Sequence, residues 1–382
     1  MRRALIIISG ILVCSITHAQ SLYNKSLISI RPNTILFVDD SLVNNGTIIN
    51  NGDMQVGGAW INNNQYDAGT GQITFNSDHP QVINHNDQSF SKLTISGGGE
   101  KRFLANITIE NELNLSDGVL VSSNDAKIIF NSTAHITGGS DDAYIVGAVY
   151  HKGPGQKFFP VGDGNNYLPV TLTNIEGATA EVGLHVVDLN NTSTPLKKEK
   201  LLTAISDQRY WELDVVSGSI ANSKAILPVV DESIVTSETL AVVAESDALS
   251  NEFRNLGHET GTQLSNDRVT SNNFISMRFL AVGAKKDNES VFVYNAISPN
   301  GDDKNGVLII DNIESFPDNK VSLFNRWGDK VFEMIGYDNE IKVFVGRKNI
   351  GSDEDLSAGT YYYVIHRREG LPLVNGYLTL RK

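Results

Sequence analysis

The stretch Leu42–Gln65 reads LVNNGTIINNGDMQVGGAWINNNQ. Divided every six residues it becomes LVNNGT, IINNGD, MQVGGA and WINNNQ. Two apolar residues, two asparagines and a glycine recur, with some drift. Six residues match neither one helical turn nor two. A chain that makes a short strand and then a corner, winding around an axis, has a use for that period. The apolar pair supplies a strand whose inward side chain fills a narrow core. Asn tolerates and Gly freely accepts the left-handed conformations of a corner. Stacked Asn side chains can also bond to one another along the coils.

Leu36-Phe37 followed by Asp39-Asp40 is a degenerate earlier copy of the unit. After Gln65 the strict hexad fades, but short strands continue. ITF at Ile73, LTI at Leu93 and LNL at Leu113 stand 20 residues apart, a spacing that suits the coils of a solenoid. IIF at Ile128 and HIT at His135 follow. Residues 20–175 therefore read as a β-solenoid-like repeat region. The competing arrangement is an irregular antiparallel sandwich.

The whole chain of 382 residues is 40% apolar and 20% charged, which places it among globular proteins. Val, Ile, Thr and Tyr recur in short runs of strand length, and no long segment has a 3.6-residue period. The fold class expected is all-β. Arg2 and Arg3, the apolar run Ala4–Cys14 and the small residues around Ala19 mark residues 1–19 as a signal peptide, cleaved between Ala19 and Gln20. The apolar run is too short to span a bilayer, which needs about 20 residues. Lipid attachment to Cys14 calls for a small residue before it, and Val13 stands there. Cys14 is the only cysteine, so the mature chain has no disulfide to lean on. The net charge of −13 becomes −15 once Arg2 and Arg3 are removed. Such an acidic exterior excludes nucleic acid as a partner, since phosphates need Lys and Arg.

Chemistry is hard to find. Asp53, Asp67, Asp78 and Asp117 are scattered near turn residues, and read as solvated loops rather than a glycosidase pair. His79 and His85 have no third ligand in the sequence around them. Gly162-Asp163-Gly164 lacks the regular Asp spacing of a calcium loop and reads as a structural turn. Residues 176–287 show alternating strands at sandwich spacing, with Tyr210-Trp211 as a core anchor or, less simply, a sugar-stacking platform. No Gly-x-Ser-x-Gly elbow, His-Glu-x-x-His or phosphate-cradling loop occurs. The expectation is a protein with no catalytic residues, no metal and no cofactor.

The last ninety residues are more distinctive. Ser298-Pro299-Asn300-Gly301-Asp302, then Asn325-Arg326-Trp327-Gly328, then Gly359-Thr360-Tyr361-Tyr362-Tyr363 follow in order, before a closing strand that ends in Arg381-Lys382. Alternation puts Tyr361, Tyr363 and Ile365 on one face of a strand, and Tyr362, Val364 and His366 on the other. Trp327 beside Gly328 suggests a ring packed over a tight turn. Residues 291–382 resemble the gliding-motility-associated C-terminal domain, a type B sorting domain of the type IX secretion system. Two positions depart from that family's pattern: Asp303 stands where Gly is usual, and Phe344 precedes Gly346 where Trp is frequent. The run Tyr144–Thr173 resembles a module of surface proteins exported by the same system.

The resemblance implies an Ig-like sandwich. It also implies export through the type IX translocon with a porin-like outer-membrane partner, and a place on the cell surface or in the medium, outside the outer membrane. The reading at this level is a non-enzymatic surface adhesin or structural component. The alternative is a carbohydrate-binding or polysaccharide-degrading protein, with a surface glycan on the solenoid face. A row of carboxylates along the solenoid would favour the alternative, and an Asn-rich flank the first.

Overall fold

In the computed structural model the described residues are 21–123, 126–189, 195–230, 233–235, 239–249, 251–259, 268–286, 290–301 and 305–381. The signal-peptide segment, with Ala19 and Gln20, lies outside them, as does Asp302. The chain divides into two compact units, Met1–Lys285 and Lys286–Lys382. Both are built of strands, and among the described residues helical conformation is confined to Leu189 and the 3-10 turn Ile313–Ser315.

The first unit begins as a β-solenoid. Each hexad of the repeat makes one wall, and three hexads make one coil. Ser41–Asn44, Thr47–Asn50 and Asp53–Val56 are consecutive walls. Each pairs in parallel with a strand one coil away. Leu42 lies opposite Leu22 and Trp60, Ile48 opposite Ile28 and Tyr66, and Met54 opposite Leu36 and Ile73. The first wall continues through seven strands, from Ser21–Asn24 to Ile145–Val146. Alternation sends Leu42, Ile48, Met54, Val56, Trp60, Ile73 and Phe75 into a fully buried core.

The repeated Asn has a specific task. Asn24, Asn44 and Asn62 end successive first-wall strands and are buried. Asn24 Nδ2 donates to Asn44 Oδ1 at 2.7 Å, and Asn44 Nδ2 to Asn62 Oδ1 at 2.7 Å. Each Nδ2 also reaches a main-chain carbonyl at the next corner, Thr47 or Gln65, at 3.0 Å. Asn44 Oδ1 further accepts the Gly46 amide at 3.1 Å and so shapes the corner. Gly46 is needed for space, because a Cβ there would lie 2.1 Å from the Ser26 carbonyl oxygen.

The row stops at Asn62, whose Nδ2 finds no hydrogen-bond partner among the described residues. His85, just beyond the first-wall strand of the next coil, is fully buried there. Its Nδ1 accepts from Trp60 Nε1 at 3.0 Å, its Nε2 donates to the Ser89 carbonyl at 3.2 Å, and its ring stacks on Phe90. Both nitrogens are used only by the neutral ring. Lys101 fills a corner two walls further on. Its ammonium donates to the Ser77 and Gly99 carbonyls at 2.8 and 2.6 Å, and burial pulls its pKa down to about 8.

The solenoid does not end in an open edge at its C-terminal side. Ala148–Lys152 pairs in parallel with Lys127–Phe130 and antiparallel with the 19-residue strand Val170–Asp188. That strand pairs antiparallel with Arg209–Ser219, which continues to Phe279–Lys286. The parallel stack thus becomes an antiparallel sheet without interruption, and one hydrophobic core runs from Ile30 to Val282. Val170–Asp188 runs straight through positions 175 and 176, where the texture of the sequence changes. A second cluster, with Leu202, Val242, Phe253 and Phe279, packs on the opposite face of the same strands, Phe279 and Ala281 alternating with Leu280 and Val282 of the first core.

The second unit has its own core, which includes Ile297, Leu308, Val321, Leu323, Tyr337, Phe344, Ile365, Leu378 and Leu380. Its five-stranded sheet runs Ala296–Ile297, Val374–Leu380, Gly359–His366, Lys320–Phe324, Lys330–Ile335. A two-stranded pair, Phe292–Val293 with Ile310–Asp311, accompanies it, in keeping with a β-sandwich. The closing strand is internal: it pairs with Gly359–Ile365 on one side and with Ala296–Ile297 on the other.

Two outcomes follow. Asn44→Ala should lower the unfolding free energy by about 3 kcal/mol, because several buried partners lose their bonds at once. Asn63→Ala, on the exposed rung to Asn45, should change it by less than about 0.5 kcal/mol. Urea unfolding of the two variants checks this, and equal effects would contradict a buried ladder.

The second outcome concerns pH. Burial pushes His85 and His151 down to about 3 from the ordinary 6.5. The unfolded chain therefore takes up these two protons near pH 6.5, and the folded chain only near pH 3. Their stabilising effect is complete above about pH 7 and is lost as pH falls from 6.5 toward 3, at about 1.4 kcal/mol per pH unit for each histidine. His85→Asn should remove about half of the slope that His85 and His151 together contribute in unfolding titrations. An unchanged slope would contradict a neutral His85.

Candidate functional site

The first unit scatters the residues that could carry chemistry. Trp211 is fully buried, its Nε1 donating to the Leu168 carbonyl at 3.4 Å, and Tyr210 is buried against Phe279. They anchor the core rather than form a platform. Asp163 accepts the amides of Asn165 and Asn166 and faces the buried Arg209 guanidinium, which makes its Gly-rich turn structural. Asp78 pairs with the exposed His79, while His85 lies in the core. Among the described residues no group of three or more His, Cys, Asp or Glu could hold a metal ion.

In the second unit two of the three sequence motifs meet. Lys320–Phe324 and Lys330–Ile335 are joined by a tight turn that Asn325 organises. Asn325 Oδ1 accepts the amides of Trp327 and Asp329, both at 2.9 Å, and its Nδ2 donates to Asp329 Oδ2 at 3.0 Å. Gly328 closes the turn at φ 88°, a conformation that favours glycine. Beside this turn, the residues leading into Gly359–His366 form the opposite wall of a cavity of about 450 Å3. Asn325, Arg326 and Trp327 of the turn line it together with Val331, Lys348 and Glu354–Tyr361.

Trp327 corrects the expectation drawn from its neighbour. Its ring is not packed over the turn but 73% exposed, with the Arg326 guanidinium 4.2 Å from the ring centre. The turn directs these side chains outward, away from the alternation that buries Leu323 and Phe332. Lys348 pairs with Glu354 at 3.1 Å, and Asp355 with Arg347 at 3.3 Å. Arg326 has no ion pair with any described residue.

The tyrosine run divides as its alternation demands. Tyr361 points inward, and its hydroxyl donates to the Ser357 carbonyl at 2.9 Å. Tyr363 lies across Gly376, where a Cβ would stand 2.3 Å from the tyrosine hydroxyl oxygen. Burial raises the pKa of both phenols. Tyr362 faces out, opposite Tyr377 on one neighbouring strand and Phe324 on the other. Tyr362 and Tyr377 are 51% and 55% exposed. Thr360 lines the cavity one residue before Tyr361.

The first motif stands apart from the cavity. Ser298 donates its amide to the Asn305 carbonyl at 2.7 Å, and its own carbonyl accepts the Asn300 amide at 2.8 Å. Pro299 lies against Gly346, and Gly301 turns the chain at φ 82°. Phe344, where the family pattern often has Trp, is fully buried beside Phe332. The cavity walls supplied by Lys348 and Glu354–Ala358 were not evident from sequence, because no motif marks them.

Residues 291–380 match the family model described as the CHU_C Type IX secretion signal domain. No curated protein and no solved structure matches the chain. The second unit is thus a C-terminal sorting signal of the type IX secretion system. It implies interaction with that machinery, and export to the cell surface or the medium.

Proposed function

We infer that the protein is a non-enzymatic surface adhesin or structural component, delivered outside the outer membrane by its C-terminal domain. The observation that carries this reading is the sorting-domain match over 291–380, on a unit whose core is its own. The signal peptide takes the chain across the inner membrane. The translocon and a porin-like outer-membrane protein then receive it. The first unit is the cargo, a β-solenoid of disulfide-free construction that gains stiffness from its main-chain ladders and its buried Asn row. Its flank of Asn45, Asn63 and Asn64, bonded along the coils, supports a structural or adhesive surface.

One observation favours the carbohydrate reading. The turns before five first-wall strands carry Asp40, Asp78, Glu100, Asp117 and Asp142, with a gap at Gly57–Ala59 between the first two. Several of these acids already serve their neighbours: Asp40 accepts from Ser21 and Ser41, Asp78 pairs with His79, and Glu100 with Arg102. That leaves the adhesive reading ahead. A glycan array on the mature chain separates the two.

Deleting residues 291–382 should trap a folded first unit in the periplasm of a host that has the type IX system. Removing Gly376–Lys382 alone should do nearly the same, because the strand lost is internal to the sheet and carries the buried Leu378 and Leu380. Cell fractionation reads the outcome. Truncated chains that reach the surface or medium as efficiently as full-length protein would overturn the assignment.

A further inference from the structure

We propose that the cavity between the Asn325–Asp329 turn and Glu354–Tyr361, together with the adjoining row Phe324–Tyr362–Tyr377, is the surface by which the export machinery docks this domain. The partner is a protein segment that offers apolar side chains to the row and a carboxylate to Arg326. This rests on the sorting reading of the same domain and adds where, and by what chemistry, it is read.

Exposure is the first ground. A sandwich sheet can hide its large rings, and this one hides Phe332, Phe344 and Tyr361. Yet Trp327, Tyr362 and Tyr377 are more than half exposed on one contiguous stretch of sheet and turn. Phe324, paired with Tyr362, leads directly into the Asn325–Asp329 turn, so the outward-facing row ends at the turn that carries Arg326 and Trp327. Exposed aromatic patches of this kind mark interaction sites, and Trp, Tyr and Arg are the residues that dominate interface energies.

Charge is the second ground. Within the cavity Lys348 and Asp355 already have partners of opposite sign, as does Glu354. Arg326 has none among the described residues, and its planar guanidinium is held in place over Trp327. A fork preset in this way suits a carboxylate better than a flexible ammonium would.

Strand geometry is the third ground. The ladder between Lys320–Phe324 and Gly359–His366 ends at the pair Phe324–Tyr362. Beyond it, Gly359–Tyr361 has no ladder partner on that side, and its main chain borders the cavity. An extended segment of the partner can be accommodated there, main chain to main chain.

The test uses the full chain in a host with the type IX system. Three variants are compared with wild type for the amount outside the outer membrane: Trp327→Ala, Arg326→Glu, and Tyr362→Thr combined with Tyr377→Thr. Unfolding midpoints of the purified chains check that each still folds, as expected for exposed positions. Each variant should lower export about 10-fold or more while folding normally. Arg326→Lys should be intermediate, and Arg326→Glu should be worse than Arg326→Ala. Deletion of 291–382 runs beside them. If the deletion blocks export while the folded point variants are exported like wild type, the docking surface is wrong and the sorting role stands. If the deletion is exported too, the sorting role itself fails. If the variants cross normally but the exported chain no longer stays on the cell, the face binds a surface component instead, and the proposal is overturned.

Discussion

A stack of short strands is stable only if its main-chain groups and its corner polar groups all find partners away from water. The first unit depends on that constraint. Each wall offers about four residues to the coil before and the coil after, too few to hold by themselves. Repetition multiplies them. The Asn24–Asn44–Asn62 row settles the corners from inside, and where it stops a neutral histidine takes over, while at the other end of a first-wall strand the buried Lys101 ammonium binds corner carbonyls. The strand Val170–Asp188 then covers the C-terminal edge of the stack, so that the solenoid and the antiparallel layer share one core.

Much of this was legible in the sequence. The six-residue spacing identified the walls, because side-chain alternation and corner chemistry are both local. The same locality made the division of Tyr361, Tyr362 and Tyr363 between two faces readable from alternation alone. What escaped depends on contacts between distant residues. His85 reads as a loop histidine until the register puts it next to Asn62 and Trp60. Nothing local marks Lys101 for burial, because one of its two carbonyl partners, Ser77, lies 24 residues away on the preceding coil. The exposure of Trp327 escaped for a different reason. An aromatic in an Asn-x-x-Gly turn has no alternation to follow, and the turn geometry, not hydrophobicity, sets its direction.

The two units divide the work between cargo and address. The second unit closes its own core with a final strand held on both sides, so the address is a folded surface and not a loose tail. Its candidate site is correspondingly made of geometry more than reactivity. A turn fixed by one asparagine, a glycine that admits a tyrosine ring, and rings left in solvent together define a shape.

The central claim is that this folded surface is sufficient as an address. The most direct measurement joins residues 286–382 to the C-terminus of an unrelated, stably folded periplasmic protein and locates the fusion in a host with the type IX system. The account predicts that the fusion appears outside the outer membrane, while the unfused protein stays in the periplasm. A fusion that folds, with its sorting domain intact, and nevertheless remains periplasmic would contradict it.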